Sequence, residues 1–246
     1  MTALRAFGRN DLKSIKRDSL LIYMLVIPPL MVLLVRLILP WLTNRVAQSF
    51  AFDLVPYYPM ILSFFFVLQL PLLFGLLVGL LVGLLILDER DDDTLTALRV
   101  TPISMTGYAI YRGGAATLLS TLYIVIALPS TGLMPLTLLP ALIPIAILSG
   151  VLAPLFGLIL ATIASNKVEG LALMKALGIF LIGPLTAYFV DSNWQLLMGI
   201  LPTYWPAKAF WVASEGGNFW PYVVVSAIYS LLLVALLLRR FKAKVF

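Results

Sequence analysis

Cysteine and histidine are both absent from this chain of 246 residues, and only 11% of its residues are charged. Without thiols there is no disulfide, no thiolate nucleophile and no thiolate metal site. Without imidazole the side chain most used for proton transfer near neutral pH is missing as well. The redox compartment therefore leaves no mark. The dipeptide Gly-Lys never occurs, so no phosphate loop of the G-x-x-x-x-G-K-[ST] kind can be built, and ATP hydrolysis by that device is excluded.

What is present is hydrocarbon. At 62% hydrophobic residues the chain lies outside the range of soluble domains, and its apolar runs reach the roughly 20 residues needed to cross a bilayer. The expected class is an all-α polytopic membrane protein, one six-span transmembrane domain over residues 1–246. Six spans are read at Leu20–Leu42, Pro59–Leu87, Met105–Leu128, Leu136–Ile163, Leu171–Val190 and Tyr222–Leu238. The first run is too long for a signal-peptide core and no small-residue cleavage site follows it, so it is expected to stay.

Between the spans lie short polar segments. Residues 1–19 carry Arg5, Arg9, Lys13, Lys16 and Arg17, with Leu4, Phe7, Leu12 and Ile15 as a loose apolar stripe. This segment reads either as an amphipathic helix on the cytoplasmic surface, held by lipid headgroups, or as a basic tail that orients the first span. Thr43–Tyr58 reads as an outer loop, and Ser165–Gly170 as a short polar turn. Residues 191–221 are polar enough to leave the bilayer, yet contain Trp194, Trp205, Trp211 and Trp220. Tryptophans favour the membrane interface. Two short amphipathic pieces, Gln195–Ile200 and Ala207–Ala213, then predict a re-entrant outer hairpin.

The net charge of +6 reports topology, not a nucleic-acid partner. With both termini inside, fourteen of the seventeen Lys and Arg residues are cytoplasmic; only Arg36, Arg45 and Lys208 are outside. This is a strong positive-inside bias for a multi-pass protein of the cell membrane. Arg36 in the first span and Arg112 near the cytoplasmic end of the third are intramembrane charges, and so functional candidates by default. Arg36 also sits shallow enough to snorkel to the outer headgroups. Gly75, Gly79 and Gly83 place three bare positions on one helix face, suited to close helix packing, either at a subunit or gate interface or inside one subunit.

The longest charged interruption, Leu87–Ser104, reads LDERDDDTLTALRVTPIS. Asp91, Asp92 and Asp93 would occupy the first turn of a short helix, where carboxylates complement the free N–H groups. Leu95 and Leu98 fall on one face, Arg99 in the last turn, and Pro102 ends the helix while pulling Thr101 out of it. A solvated loop with incidental charges is the alternative. Glu89-Arg90, Thr94-Leu95, Leu98 and Thr101-Pro102 also match the pattern E-[RK]-x-x-G-T-L-E-x-L-x-x-T-P, with Asp93 in place of Gly and Thr96 in place of Glu.

With six spans in a chain of this length, that motif resembles permeases of type-2 ATP-binding-cassette (ABC) transporters. The N-terminal run FGRNDLKSIKRDSLL brings it nearest to bacterial drug-export permeases of the fluoroquinolone type. The resemblance implies that residues 88–104 are a coupling helix docking on a separate ABC ATPase. It also implies that two permease subunits, identical or not, pair in the membrane. ATP and Mg would then sit in the partner, with no cofactor or metal in this chain and no catalysis of its own.

Two other classes remain. A channel or secondary carrier would carry acidic residues within its spans, and here the spans contain no carboxylate, with Gln69 the main buried polar residue. An intramembrane lipid transferase could use Asp88, Glu89 and Asp91–Asp93 to hold Mg²⁺ and a pyrophosphate. Consecutive aspartates on a helix diverge, however, and no second acidic cluster faces them.

Overall fold

The computed structural model of the chain describes residues 11, 13–67, 75–92, 105–190 and 192–245. Residues 93–104, which hold Asp93, Thr94, Leu95, Leu98, Arg99, Thr101 and Pro102, lie outside the described set, as do Leu4, Phe7, Leu12 and Gln69.

Helix α1 runs Ser19–Phe50. Asp18 starts it from extended backbone, its carboxylate accepting the Leu20 N–H at 2.9 Å. At about 1.5 Å per residue its 32 residues span about 48 Å, well beyond the roughly 30 Å hydrocarbon layer. The outer loop expected from Thr43 is therefore helical as far as Phe50, and the chain turns only at Ala51, in left-handed backbone at φ 50°. Hydropathy marks where a span becomes long enough, not where its hydrogen-bond ladder stops.

The second span is α2, Tyr58–Val67, and α3, Leu77–Asp91. Then come α4, Met105–Ser130, and α5, Leu139–Ile163, joined by a turn at Gly132 with φ 76°. The fifth span is two helices, α6, Lys167–Leu177, and α7, Ile179–Tyr188, bending at Gly178. A 3-10 helix, Asn193–Ile200, and α8, Tyr204–Ser214, precede the last helix, α9, Trp220–Val245. Among the described residues five helical stretches, α6 and α7 counted together, are long and apolar enough to cross a membrane, and α2 and α3 are the described parts of the remaining span. The protein is an all-helical polytopic membrane protein.

Helices α3 and α5 are its centre. Every residue of α3 from Val78 to Leu87 is buried, and the apolar window of α5 is 72% buried, against 17% for α9 and 22% for α1. Lipid is as apolar as leucine, so close packing and backbone satisfaction hold such helices together, not the hydrophobic effect. Glycine permits the approach: a Cβ on Gly79 would lie 2.5 Å from the Ala153 carbonyl oxygen, and one on Gly157 would lie 2.9 Å from that of Gly79. Gly83 rests on Leu160 and Gly157 in the same seam.

Prolines inside the spans free backbone carbonyls that lipid cannot satisfy. Pro29 has no N–H for the Leu25 carbonyl four residues earlier, and the Tyr123 hydroxyl donates to it from α4 at 3.1 Å. Pro184 frees Phe180 in the same way, and the Thr203 hydroxyl donates there at 2.6 Å.

Where a re-entrant outer hairpin is expected before α9 there are two short helical pieces, and they differ. The 3-10 piece leaves Trp194, Leu197 and Ile200 exposed, while α8 buries Tyr204, Ala207, Phe210 and Trp211, with Phe210 stacked on Phe66 at 3.9 Å. Trp205 Nε1 donates to the Gly199 carbonyl at 2.9 Å and Tyr229 OH to that of Ile200 at 2.6 Å, fastening the first piece to α8 and α9.

Candidate functional site

The charges of the chain converge where α3 ends. Arg112 lies two turns into α4 with its side chain 4% exposed. Its guanidinium pairs with Asp11 at 2.8 Å and with Glu89 at the end of α3. Tyr108, one turn earlier on the same face, donates its hydroxyl to the second Glu89 oxygen, and its ring lies 5.4 Å below the guanidinium. Tyr111 donates to the second oxygen of Asp11 at 2.9 Å. One planar fork of donors thus serves two carboxylates from different elements, a geometry lysine does not offer.

A second node adjoins it. Lys167, the first residue of α6, places its ammonium 2.9 Å from both Asp18 and Asp88. The hydrogen bond from Lys167 holds the Asp18 carboxyl below the usual carboxylate range. Asp91 accepts the Lys167 backbone N–H at 3.2 Å, bringing a carboxylate to the positive end of α6. Asn166 caps the same helix by accepting from Glu169, whose carboxylate accepts from Ser165.

Arg90 makes the third node. Its two terminal nitrogens donate to the carbonyls of Ala161 and Ala164 at 3.0 and 3.1 Å, closing the last turn of α5. Asp88, Glu89, Arg90 and Asp91 therefore fasten the end of α3 to three other helices, α4, α5 and α6, while Asp92 is exposed and leads into residues 93–104.

This arrangement bears on the acidic run as a metal or pyrophosphate holder. Asp88 turns to Lys167, Glu89 to Arg112 and Asp91 to the α6 terminus. Among the described residues no three carboxylates gather around a point that could hold an ion.

Of the other residues singled out in the sequence, Arg36 is exposed at the opposite end of the bundle. Its guanidinium lies against Gly132 so closely that a Cβ there would sit 1.9 Å from Nη1. Arg36 and Arg112 are thus not brought together. Gly79 and Gly83 face α5 within this chain, and Gly75 is buried just before α3. Sequence reasoning did not reach Asp11, Asp18, Tyr108, Tyr111 or Lys167 as site residues. The one local sign was Tyr108 standing four residues before Arg112.

Spans without carboxylates, charges gathered at the helix ends, and Asp88, Glu89 and Asp91 each taken up by a cation or a helix terminus suit a membrane permease. Comparison with known proteins gives the particular kind. The model of a family described as "Fluoroquinolones export permease protein Rv2686c-like" matches residues 11–238. Two curated proteins, from Mycobacterium tuberculosis strains CDC 1551 / Oshkosh and ATCC 25618 / H37Rv, are each 42% identical over 243 residues. The aligned region covers 98% of this chain and 95% of theirs, and both are named fluoroquinolones export permease proteins. The chain belongs to this family of export permeases.

Proposed function

We propose that this permease is the membrane subunit of an ATP-driven ABC exporter whose cargo is a fluoroquinolone-type or similar amphiphilic drug. Two permease subunits, identical or paralogous, pair in the cell membrane with both termini cytoplasmic. Two separate ATPase subunits, which hold the ATP and Mg, dock on residues 88–104. The relatives' names supply the cargo, and the concentration of Lys and Arg at the α3 end of the bundle supports the orientation.

The observation that carries the coupling role is the fastening of the residues at the start of the motif. Glu89 and Arg90 bond to α4 and α5, and Asp88 and Asp91 bond to the start of α6. A push on the segment beyond Asp92 would therefore reach three spans through short polar bonds, without a slack linker. Leu95 and Leu98 are the apolar contact for the ATPase. Burying both contributes about 3–6 kcal/mol of gross hydrophobic free energy, before the cost of association.

The test is Leu95→Ser with Leu98→Ser. The double variant should insert and fold normally, fail to co-purify with the ATPase, and lose drug-stimulated ATP turnover in liposomes. Full retention of all three would remove the segment from the mechanism.

A further inference from the structure

At the end of the bundle opposite the ionic nodes, a cavity of about 320 Å³ opens between the 3-10 helix, α7 and α8. Its volume is within the range that takes a drug-sized molecule. Lys208, Trp211 and Glu215 line it from one face of α8, at helical positions i, i+3 and i+7. Tyr188 and Gln195 line it from the other two elements.

Three features of this wall point to a ligand. Neither Lys208 nor Glu215 has an oppositely charged partner among the described residues; the Lys208 ammonium donates only to the neutral Gln195 oxygen at 3.0 Å. Trp211 is 5% exposed, and its Nε1–H is buried with no hydrogen-bond partner. A buried donor left unpaired is costly unless something meets it. The Trp211 ring packs edge-on against Tyr188 at 5.2 Å, so an aromatic wall separates the two charges. Seven residues separate Lys208 from Glu215, the cap of α8, so their backbone positions lie about 10 Å apart along the axis. A second cavity, of about 240 Å³, shares Tyr188 and Glu215 and extends the space beyond the acidic end.

We propose that this cavity is a binding site for a zwitterionic aromatic drug, with its carboxylate on Lys208, its ammonium on Glu215 and its ring system against Trp211 and Tyr188. A simple cation would leave Lys208 unmatched and a simple anion would leave Glu215 unmatched. A flat molecule carrying both charges at its two ends matches both. The site rests on the drug-export reading and names the charge pattern of the cargo. On the orientation given by the basic residues it is a station on the outer side, occupied as the drug leaves.

The probes are norfloxacin, its methyl ester (amine charge only) and its N-acetyl derivative (carboxylate charge only). Binding to the purified permease in lipid nanodiscs is read from probe fluorescence polarisation, and drug accumulation is followed in cells of the native host. The zwitterion should bind at least about tenfold more tightly than either blocked form. Lys208→Gln should weaken zwitterion binding about tenfold, leave the ester unchanged, and be rescued by Lys208→Arg. Glu215→Gln should weaken the zwitterion equally and leave the N-acetyl form unchanged. Equal affinity for the three probes, or variants that bind and export the zwitterion as the unaltered protein does, overturns the site and leaves the export reading standing. An unaltered protein that neither binds nor exports the zwitterion overturns both.

Discussion

Replacing Arg112 by methionine removes the one cation shared by Asp11 and Glu89 while keeping much of the side chain's length. Both carboxylates lose their counter-charge at 17% and 13% exposure, and the Tyr108 hydroxyl remains the only described donor to Glu89. Breaking a buried pair from one side costs about 3–5 kcal/mol, because the charge left behind is neither hydrated nor matched. In a chain of this size each kcal/mol moves the unfolding temperature by about 2–4 °C. Arg112→Met should therefore lower the midpoint by roughly 6–20 °C in detergent, read by size-exclusion after heating. Arg112→Lys should fall between the two, since an ammonium replaces the charge but not the fork. Glu89→Gln combined with Arg112→Met should recover part of the loss, because one of the two stranded charges is gone. A single Arg112→Met variant within about 3 °C of the unaltered protein, or a double variant no better than the single, would refute the idea that this cluster holds α3 to α4.

Gly79→Ala should destabilise by about 1–3 kcal/mol despite alanine's better helix propensity, because its Cβ meets the Ala153 backbone oxygen. Gly114→Ala, with nothing within 4 Å of the added carbon, should be neutral or stabilise by up to about 1 kcal/mol; thermal melts of the pair separate packing from propensity. Tyr123→Phe should cost about 1 kcal/mol, since the Leu25 carbonyl freed by Pro29 then faces a hydrocarbon ring; adding Pro29→Ala, which returns the N–H, should abolish that penalty in a double-mutant cycle. The Asp18 carboxyl is held low by Lys167, so its contribution is complete above its unfolded pKa of about 3.9 and fades as pH falls through its folded value. The stability gap between Asp18→Asn and the unaltered protein should thus stay constant from about pH 8 to 5 and narrow below about pH 4, and a gap that narrows on the alkaline side instead would contradict it.

The spans were legible because bilayer thickness imposes a length and a composition that any window of sequence reveals. The two short pieces between α7 and α9 were legible too, close to the Gln195–Ile200 and Ala207–Ala213 expected, whereas the burial of Trp211 in the core was not. The end of α1 was not legible, because a helix keeps its ladder through the headgroup layer wherever no glycine or proline stops it. The ionic nodes were hidden for a different reason. Asp11 and Tyr111 are 100 residues apart, Lys167 and Asp18 are 149 apart, and Arg90 reaches a carbonyl 71 residues on. Such bonds leave no periodicity on either element. Asp11 and Asp18 stood among five basic residues and looked like neutralising charges, when each is the partner of one particular cation.

The placement of the polar bonds bears on how the bundle moves. The glycine seam brings α3 and α5 into backbone contact, and Arg90 then ties the end of one to the last turn of the other. Arg112 adds α4 through Glu89, while Lys167 adds α6 and the start of α1 through Asp88 and Asp18. Hydroxyl bonds at Tyr123 and Thr203 close the two proline sites that would otherwise be the softest points of α1 and the fifth span. Packed interfaces of this kind shift between discrete arrangements and do not bend continuously. On the coupling role proposed above, force arriving beyond Asp92 would turn α3, α4 and α5 as one body. The motion must be taken up where the helices are least covered, at the exposed faces of α1 and α9. With two subunits paired as proposed, those are surfaces where a transport pathway would open without breaking the core.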